Sequence, residues 1–185
     1  MKILLIVPNS RQVYKSIRLG VLYIASSLRK EGVTTMKIID ARHEGLSHKE
    51  ISRRIKDFSP ELVGISGLSM EATEVHKLAR LAKEIDVGCQ VVIGGPYASS
   101  CPESIIKDLN IDFVVIGEGE KTICKLINAL ENKTDIDEID GLAFRKDSKL
   151  VIRPPTMIED IDSIAFPAWE TIDMEKYFND IYQHI

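Results

Sequence analysis

Val91-Val92-Ile93-Gly94-Gly95-Pro96-Tyr97-Ala98-Ser99 is an apolar run that stops at two glycines and a proline. Its length and β-branched content read as a strand buried on both faces. A second junction of the same kind follows, Phe113-Val114-Val115-Ile116 and then Gly117-Glu118-Gly119-Glu120. Glycine has no Cβ and tolerates a positive φ. Two strands that each end in glycines therefore describe one rim of an α/β sheet where backbone must approach something closely. The bland alternative for Gly94-Gly95 is a tight turn that only reverses the chain.

The flanking sequence alternates strand and helix. Strands are expected at Lys2–Val7, Met36–Asp40, Leu62–Ser66, Gln90–Gly94 and Phe113–Ile116. Between them, Leu19–Glu31 reads as a helix with Val21, Leu22, Ala25 and Leu28 on one face and Gly32 as its stop. Ser47-His48-Lys49-Glu50 has the form of a capping box opening a helix through Asp57. Val75, Leu78, Ala79, Ala82 and Ile85 follow amphipathic spacing. Pro102 suits the first turn of a short helix to Leu109, and Thr122–Leu130 reads as the closing helix.

Short apolar strands separated by helices mean a parallel sheet covered on both faces. The expected fold class is α/β: a Rossmann-like, flavodoxin-like three-layer sandwich with a five-stranded parallel sheet in the order 2-1-3-4-5, plus a C-terminal β-hairpin and linker. Ligands of such sheets bind beyond the carboxyl ends of the strands. The expected division is a Rossmann-like unit at 1–132, a hairpin extension at 133–160 and a connector at 161–185. Gly141–Arg145 and Leu150–Arg153 form the hairpin around a polar turn, and no core is evident for the connector to complete.

A chain of 185 residues fits one domain with an extension, at about 100–200 residues per domain. Its net charge of −4 argues against nucleic acid, where a basic face is expected. No apolar run approaches the length of a membrane span. Met1–Val7 is too short for a signal peptide and lacks a cleavage pattern. Cys89, Cys101 and Cys124 suggest neither a disulfide framework nor a metal cluster, so a cytoplasmic location is expected.

Several ligands of this fold are excluded by their own chemistry. The first strand runs into Pro8-Asn9-Ser10-Arg11-Gln12 with no glycine until Gly20, so the dinucleotide fingerprint is absent. The phosphate-binding G-x-x-x-x-G-K-[ST] loop is absent throughout. A phospho-acceptor receiver would carry acids where this chain has Asn9 and Ser66, and Ser10 alone is a poor flavodoxin phosphate loop. His43, His48, His76 and His184 are dispersed and read as solvated side chains, so no metal site is expected. Glu118 and Glu120 are either an acid pair or acids complementing a helix N-terminus. Ser66 either caps its own loop or faces a ligand. No catalytic constellation is recognisable.

Val63-Gly64-Ile65-Ser66-Gly67-Leu68 and Val92-Ile93-Gly94-Gly95 resemble the cobalamin-binding domain of methionine synthases and B12-dependent mutases. The chain is more similar still to the cobalamin-binding module of radical SAM enzymes. Leu19-Gly20 opening the first helix, Gly94-Gly95-Pro96-Tyr97-Ala98, Gly117–Glu120, the hairpin from Gly141 and the Asp-x-Ile-x-x-Pro-x-Trp segment Asp162–Trp169 occur in that group's order. The group includes methyltransferases and the anaerobic magnesium-protoporphyrin IX monomethyl ester cyclase. The resemblance implies cobalamin across the strand ends, with the dimethylbenzimidazole tail near strands one, three and four. The implied cofactor-binding residues are Asn9, Ser10, Arg11, Gln12, Val13, Tyr14, Ser66, Gly67, Leu68, Ser69, Gly94, Gly95, Pro96 and Tyr97, with Arg11–Tyr14 under the corrin, Gly94 and Gly95 against the tail, and Ser66 and Ser69 as its hydrogen-bond partners. Gly117, Glu118, Gly119 and Glu120 border its nucleotide end.

Two departures qualify the resemblance. Methionine synthase-type domains place a cobalt-ligating histidine after strand one, and no histidine precedes His43 here. The resemblance therefore implies cobalamin without a protein histidine ligand. The family's C-x-x-x-C-x-x-C motif, which holds a 4Fe–4S cluster and SAM in a following barrel, is also absent. The expectation is an N-terminal module, not catalytic alone, that works with a C-terminal radical SAM barrel in cis. The competing expectation is a degenerate module that docks the barrel and holds no cofactor.

Overall fold

β-branched runs become strands and the amphipathic segments become helices, so the chain sorts into three layers. The computed structural model describes residues 1–10, 16–175 and 177. Its strands are β1 (Ile3–Val7), β2 (Met36–Asp40), β3 (Leu62–Ser66), β4 (Gln90–Gly94), β5 (Phe113–Val115), β6 (Leu142–Lys146) and β7 (Lys149–Ile152). The α-helices are α1 (Leu19–Lys30), α2 (His48–Phe58), α3 (Ala72–Ile85), α4 (Pro96–Ser100), α5 (Pro102–Ile105) and α6 (Gly119–Asn132). All seven strands form one sheet in the order β2-β1-β3-β4-β5-β6-β7. The first five pair in parallel, in the expected 2-1-3-4-5 order. The hairpin adds β6 and β7 antiparallel at the β5 edge.

Alternation along the strands decides which side chain serves which face. Leu4, Ile6, Val63, Ile65, Val91, Ile93 and Val114 pack with α2, α3, α4 and α5. Ile3, Leu5, Val7, Leu62, Val92, Phe113 and Val115 face α1 and α6. Side chains such as Ile3, Leu4 and Leu62 are buried, each contributing about 1.5–3 kcal/mol relative to exposure. The capping box at α2 forms as expected: the Ser47 N–H donates to Glu50 Oε2 at 2.9 Å, and the Glu50 N–H to Ser47 Oγ at 3.3 Å.

The structure departs from the sequence reading in four places. Pro96–Ser100, expected as a turn, is a short helix with proline in its first turn. The helix at Pro102 ends at Ile105, not Leu109. Asp108 Oδ1 there accepts from the Asn110 N–H at 2.9 Å, a local bond that competes with helix. The closing helix begins at Gly119, earlier than Thr122. The segment after 160 does reach a core: Ala168 is buried against the α1 side, and its N–H donates to the Leu22 carbonyl at 3.2 Å. Tyr177 is buried too, and its hydroxyl donates to Asp40 Oδ2 at 2.7 Å. Two isolated residues leave no periodic signal, which is why the sequence showed no core there.

Candidate functional site

A cavity of about 280 Å³ opens between the sheet and the helix pair α1 and α6. Its floor is Leu5, Gly64, Ser66, Val92, Gly94 and Val115, from the carboxyl-terminal halves of β1, β3, β4 and β5. Gly20, Val21 and Ile24 of α1 form one wall, and Gly119, Glu120 and Ile123 of α6 the other. Ile65, Gly95, Gly117 and Glu118 complete the lining. The volume lies near the lower bound of small-molecule pockets, about 300 Å³, and the mostly apolar lining is typical of them.

The hollow follows from strand parity. β3 directs Leu62, Gly64 and Ser66 towards α1 and α6, and β4 directs Val92 and Gly94 the same way. Gly64 pairs with Leu5 on one side and Val92 on the other, and Ser66 pairs with Gly94. Small residues thus sit side by side where large ones would fill the layer. A Cβ on Gly94 or Gly20 would meet nothing within 4 Å, so each bare α-carbon leaves open space. A Cβ on Gly64 would lie 2.8 Å from Leu5 Cδ2.

Gly95 is bare for a different reason. Its φ is +85°, and a Cβ would lie 2.9 Å from Ser66 Oγ and 3.0 Å from the Gly67 carbonyl oxygen. The turn is bonded to the end of β3 on both sides. The Gly67 N–H donates to the Gly94 carbonyl at 3.2 Å, and the Tyr97 N–H to the Gly67 carbonyl at 3.1 Å.

Across the rim, the Gly117 N–H donates to Ser99 Oγ at 2.9 Å, and Pro155 packs over the Gly117 α-carbon. Glu118 occupies the N-cap of α6, and its carboxylate accepts from the Ile158 N–H at 2.9 Å. Glu120 stands in the first turn, where an acid complements the helix dipole. Its Oε2 is buried and has no hydrogen-bond partner among the described residues. Burial, with the negative charges of Glu31 and Glu120, pushes the Cys124 thiol up to about 11. That thiol stays protonated near neutrality and is a poor nucleophile.

Ser66, Gly94, Gly95, Gly117, Glu118, Gly119 and Glu120 are thus brought together from the expected set. The others stand elsewhere. The Asn9 side chain donates to the Leu46 carbonyl at 3.3 Å, and Ser10 Oγ is buried without a partner among the described residues. Gly67 and Leu68 form the turn after β3, where the Leu68 N–H donates to Glu71 at 2.8 Å, and Ser69 opens a short 3₁₀ turn. Buried Glu71 also pairs with Arg18. Pro96 starts α4, and Tyr97 turns to the opposite face of the sheet. Arg11, Gln12, Val13 and Tyr14 lie outside the described residues.

The described histidines all have partners; His43 and His76 are part-buried, which corrects their reading as solvated side chains, while His48 is exposed as expected. His76 Nε2 is 3.1 Å from the Tyr97 hydroxyl, and its Nδ1 is 2.6 Å from Asp108 Oδ2. His48 bonds Glu74 at 2.5 Å, and His43 stacks on Tyr177 at 3.8 Å between ring centroids. Among the described residues, no three His, Cys, Asp or Glu side chains are grouped to hold a metal ion.

The apolar lining was missed as a site. Leu5, Val21, Ile24, Val92, Val115 and Ile123 read as ordinary core in sequence, because periodicity gives the face of a side chain and not whether its neighbour is missing. Gly64 carried a usable signal. A glycine inside a strand marks a place where something approaches the backbone.

A family model described as B12 binding domain matches residues 11–127. An uncharacterized methyltransferase of Pyrococcus horikoshii is 35% identical over 185 residues, covering 96% of this chain and 40% of that protein. The anaerobic magnesium-protoporphyrin IX monomethyl ester cyclase of a Synechocystis species is 36% identical over 163 residues, covering 86% of this chain and 32% of the cyclase. The chain therefore spans well under half the length of these relatives. Among solved structures, the cobalamin-dependent S-adenosylmethionine radical enzyme OxsB with aqua-cobalamin bound superposes with a TM-score of 0.81 at 18% identity. That match covers 97% of this chain and 25% of OxsB. No described helix is long and apolar enough to cross a membrane.

Proposed function

Because the chain belongs to the B12-binding domain family, we propose that it holds cobalamin as the cofactor module of a longer radical SAM enzyme. The observation that carries this reading is the cavity at the ends of β3 and β4. Gly94 and Gly20 leave space there that their own protein does not fill. The lining suits a flat aromatic group, and the dimethylbenzimidazole tail of cobalamin is one. Ser66 and the turn through Gly95 stand at the strand ends, and Gly117–Glu120 bound the cavity on the α6 side.

Bound cobalamin would supply a cobalt centre able to carry an alkyl group or exchange electrons. This chain's part is to seat the tail, exclude water from the base and present the corrin to a second domain. In this reading no histidine among the described residues serves as a ligand to cobalt. No histidine precedes His43, and His43, His48 and His76 each have other contacts. Residues 1–132 are the cofactor-binding unit, 133–160 the hairpin extension and 161–185 the connector. The catalytic partner is a radical SAM barrel in cis, with the 4Fe–4S cluster and SAM. The greater length of the relatives supports that partner. The whole enzyme's reaction is methyl transfer or oxidative cyclisation, a reading supported by relatives named as a methyltransferase and a cyclase.

Titrating hydroxocobalamin into the purified chain tests this directly. A change in the visible spectrum, with cobalt co-eluting in gel filtration, is the expected result. Neither signal at tens of micromolar would leave the chain as a docking module without cofactor.

A further inference from the structure

The inner half of the cavity sits one inward-facing step below the strand ends. Leu5, Gly64 and Val92 lie side by side there, each with a paired strand on either side, so their backbone donors and acceptors are committed to the sheet. Ile24 and Ile123 close the hollow from within the helical turns of α1 and α6. Leu5, Val92 and Val115 each keep 5% of their surface open, so they can touch what fills the cavity. The polar groups of the lining stand at the mouth instead. Ser66 ends β3, Glu118 and Glu120 open α6, and the Gly117 N–H is held by Ser99.

The lower base of a cobamide is joined to its ribose through one ring nitrogen, so the opposite edge enters a cavity first. In dimethylbenzimidazole that edge carries two methyl groups. In an adenine-bearing cobamide it carries an amine and two ring nitrogens. Buried polar groups without partners cost free energy, and the side chains at this depth are aliphatic. Resting on the proposed cobalamin site, we propose that Leu5, Val92 and Val115 are specificity-determining residues that select the lower base. They admit benzimidazole-type tails and reject purine-type tails on otherwise identical corrinoids. The space beside Gly94 gives the apolar ring room, and the aliphatic floor gives a purine edge no partner.

The test titrates wild type with the hydroxo forms of cobalamin, adeninylcobamide and cobinamide, which lacks the nucleotide, and reads the visible spectrum. Cobalamin should bind about tenfold to a hundredfold tighter than adeninylcobamide. Adenine holds cobalt more weakly and detaches more easily, so that bias runs against the expected order. Val92→Thr gives the floor a hydroxyl at nearly constant shape and should narrow the ratio about fivefold, the worth of one hydrogen bond. Val91→Thr, on the other face of β4, should lower Tm and leave the ratio unchanged. Thermal unfolding shows which variants fold, and Val115→Thr replaces Val92→Thr if the latter does not. Equal affinity for cobalamin and adeninylcobamide, both tighter than cobinamide, overturns the selection while the cofactor site stands. Equal affinity for all three also overturns it, because the tail then lies outside the cavity. An unchanged ratio in the folded floor variant, or the same narrowing in Val91→Thr, removes the floor as its cause. If wild type binds none of the three, the cobalamin reading itself fails, a result distinct from the others.

Discussion

Replacing Gly94 with valine probes the cavity where it is emptiest. A Cβ there meets nothing within 4 Å, and Gly94 is not among the glycines with positive φ. Valine is also well suited to a strand. Folding should be unharmed, and the less flexible unfolded chain favours the variant by about 0.4–1 kcal/mol. At about 2–4 °C per kcal/mol for a chain of this size, Tm should stay level or rise slightly. Binding should behave differently. A bicyclic aromatic base buries about 150–250 Å², as an aromatic side chain does. At about 25 cal/mol per Å² that is roughly 4–6 kcal/mol, or about 10³- to 10⁴-fold in Kd. This is an upper bound, since the corrin can still bind with its tail displaced, so a loss of about a hundredfold is expected. The companion variant Gly95→Val should do the opposite to stability. Its positive φ costs about 1–2 kcal/mol, and the Gly67 carbonyl at 3.0 Å adds a clash with backbone. Spectroscopic titration with hydroxocobalamin and thermal unfolding of both variants read the two effects. Unchanged cobalamin affinity in a folded Gly94→Val protein refutes the assignment of the cavity to the tail. An unchanged Tm in Gly95→Val refutes the account of the turn.

Two further outcomes follow from the same geometry. Bound cobalamin should show a base-off spectrum at neutral pH, because the base sits in the protein cavity and the described histidines are held elsewhere. A base-on or histidine-coordinated spectrum contradicts both points. At alkaline pH the latch between Tyr177 and Asp40 should become visible. Burial, the hydrogen bond to Asp40 and the Asp40 charge raise the Tyr177 phenol well above its ordinary 10.0. The unfolded chain then releases a proton near pH 10 that the folded chain keeps, so stability falls as pH rises beyond about 10. Tyr177→Phe should flatten that decline in a series of Tm measurements between neutral and alkaline pH, and parallel curves for the two proteins reject the latch.

The layers of the fold were legible because strands and helices announce themselves by period. Leu62–Ser66 and Gln90–Gly94 fall where the apolar runs placed them, and the observed 2-1-3-4-5 order is the one expected of a flavodoxin-like sheet, although alternation alone does not select it among doubly wound orders. The hairpin was legible as a hairpin, but its pairing with β5 was not. Phe113 opposite Phe144 is a contact between residues 31 positions apart, and no local pattern encodes it. The rim was legible where glycine marked it. What escaped was the division of labour within it. Gly94 and Gly95 look alike in sequence, yet one faces open space and the other sits against the Gly67 backbone. Tyr97 escaped for a similar reason, because the helix at Pro96 turns its side chain to the far face.

The two faces of β3 and β4 serve as controls for each other. On the α3 side, Ile65 and Ile93 pair in register and are almost fully buried, so the layer is filled to the strand ends. On the α1 side, the neighbouring positions hold Ser66 and Gly94, also paired in register, with Gly64 one step below. The strands, twist and ends are shared, so sheet geometry cannot account for the difference. A glycine inside a strand weakens it by about 0.5–1 kcal/mol relative to alanine. A sequence selected for packing alone would place an aliphatic side chain at 94 as it does at 93, whereas at 64 the Leu5 side chain already occupies the space a Cβ would take. The hollow lies on one face only. A turn made only to reverse the chain does not call for open space beside Gly94 on that face, whereas a flat apolar base would fill it.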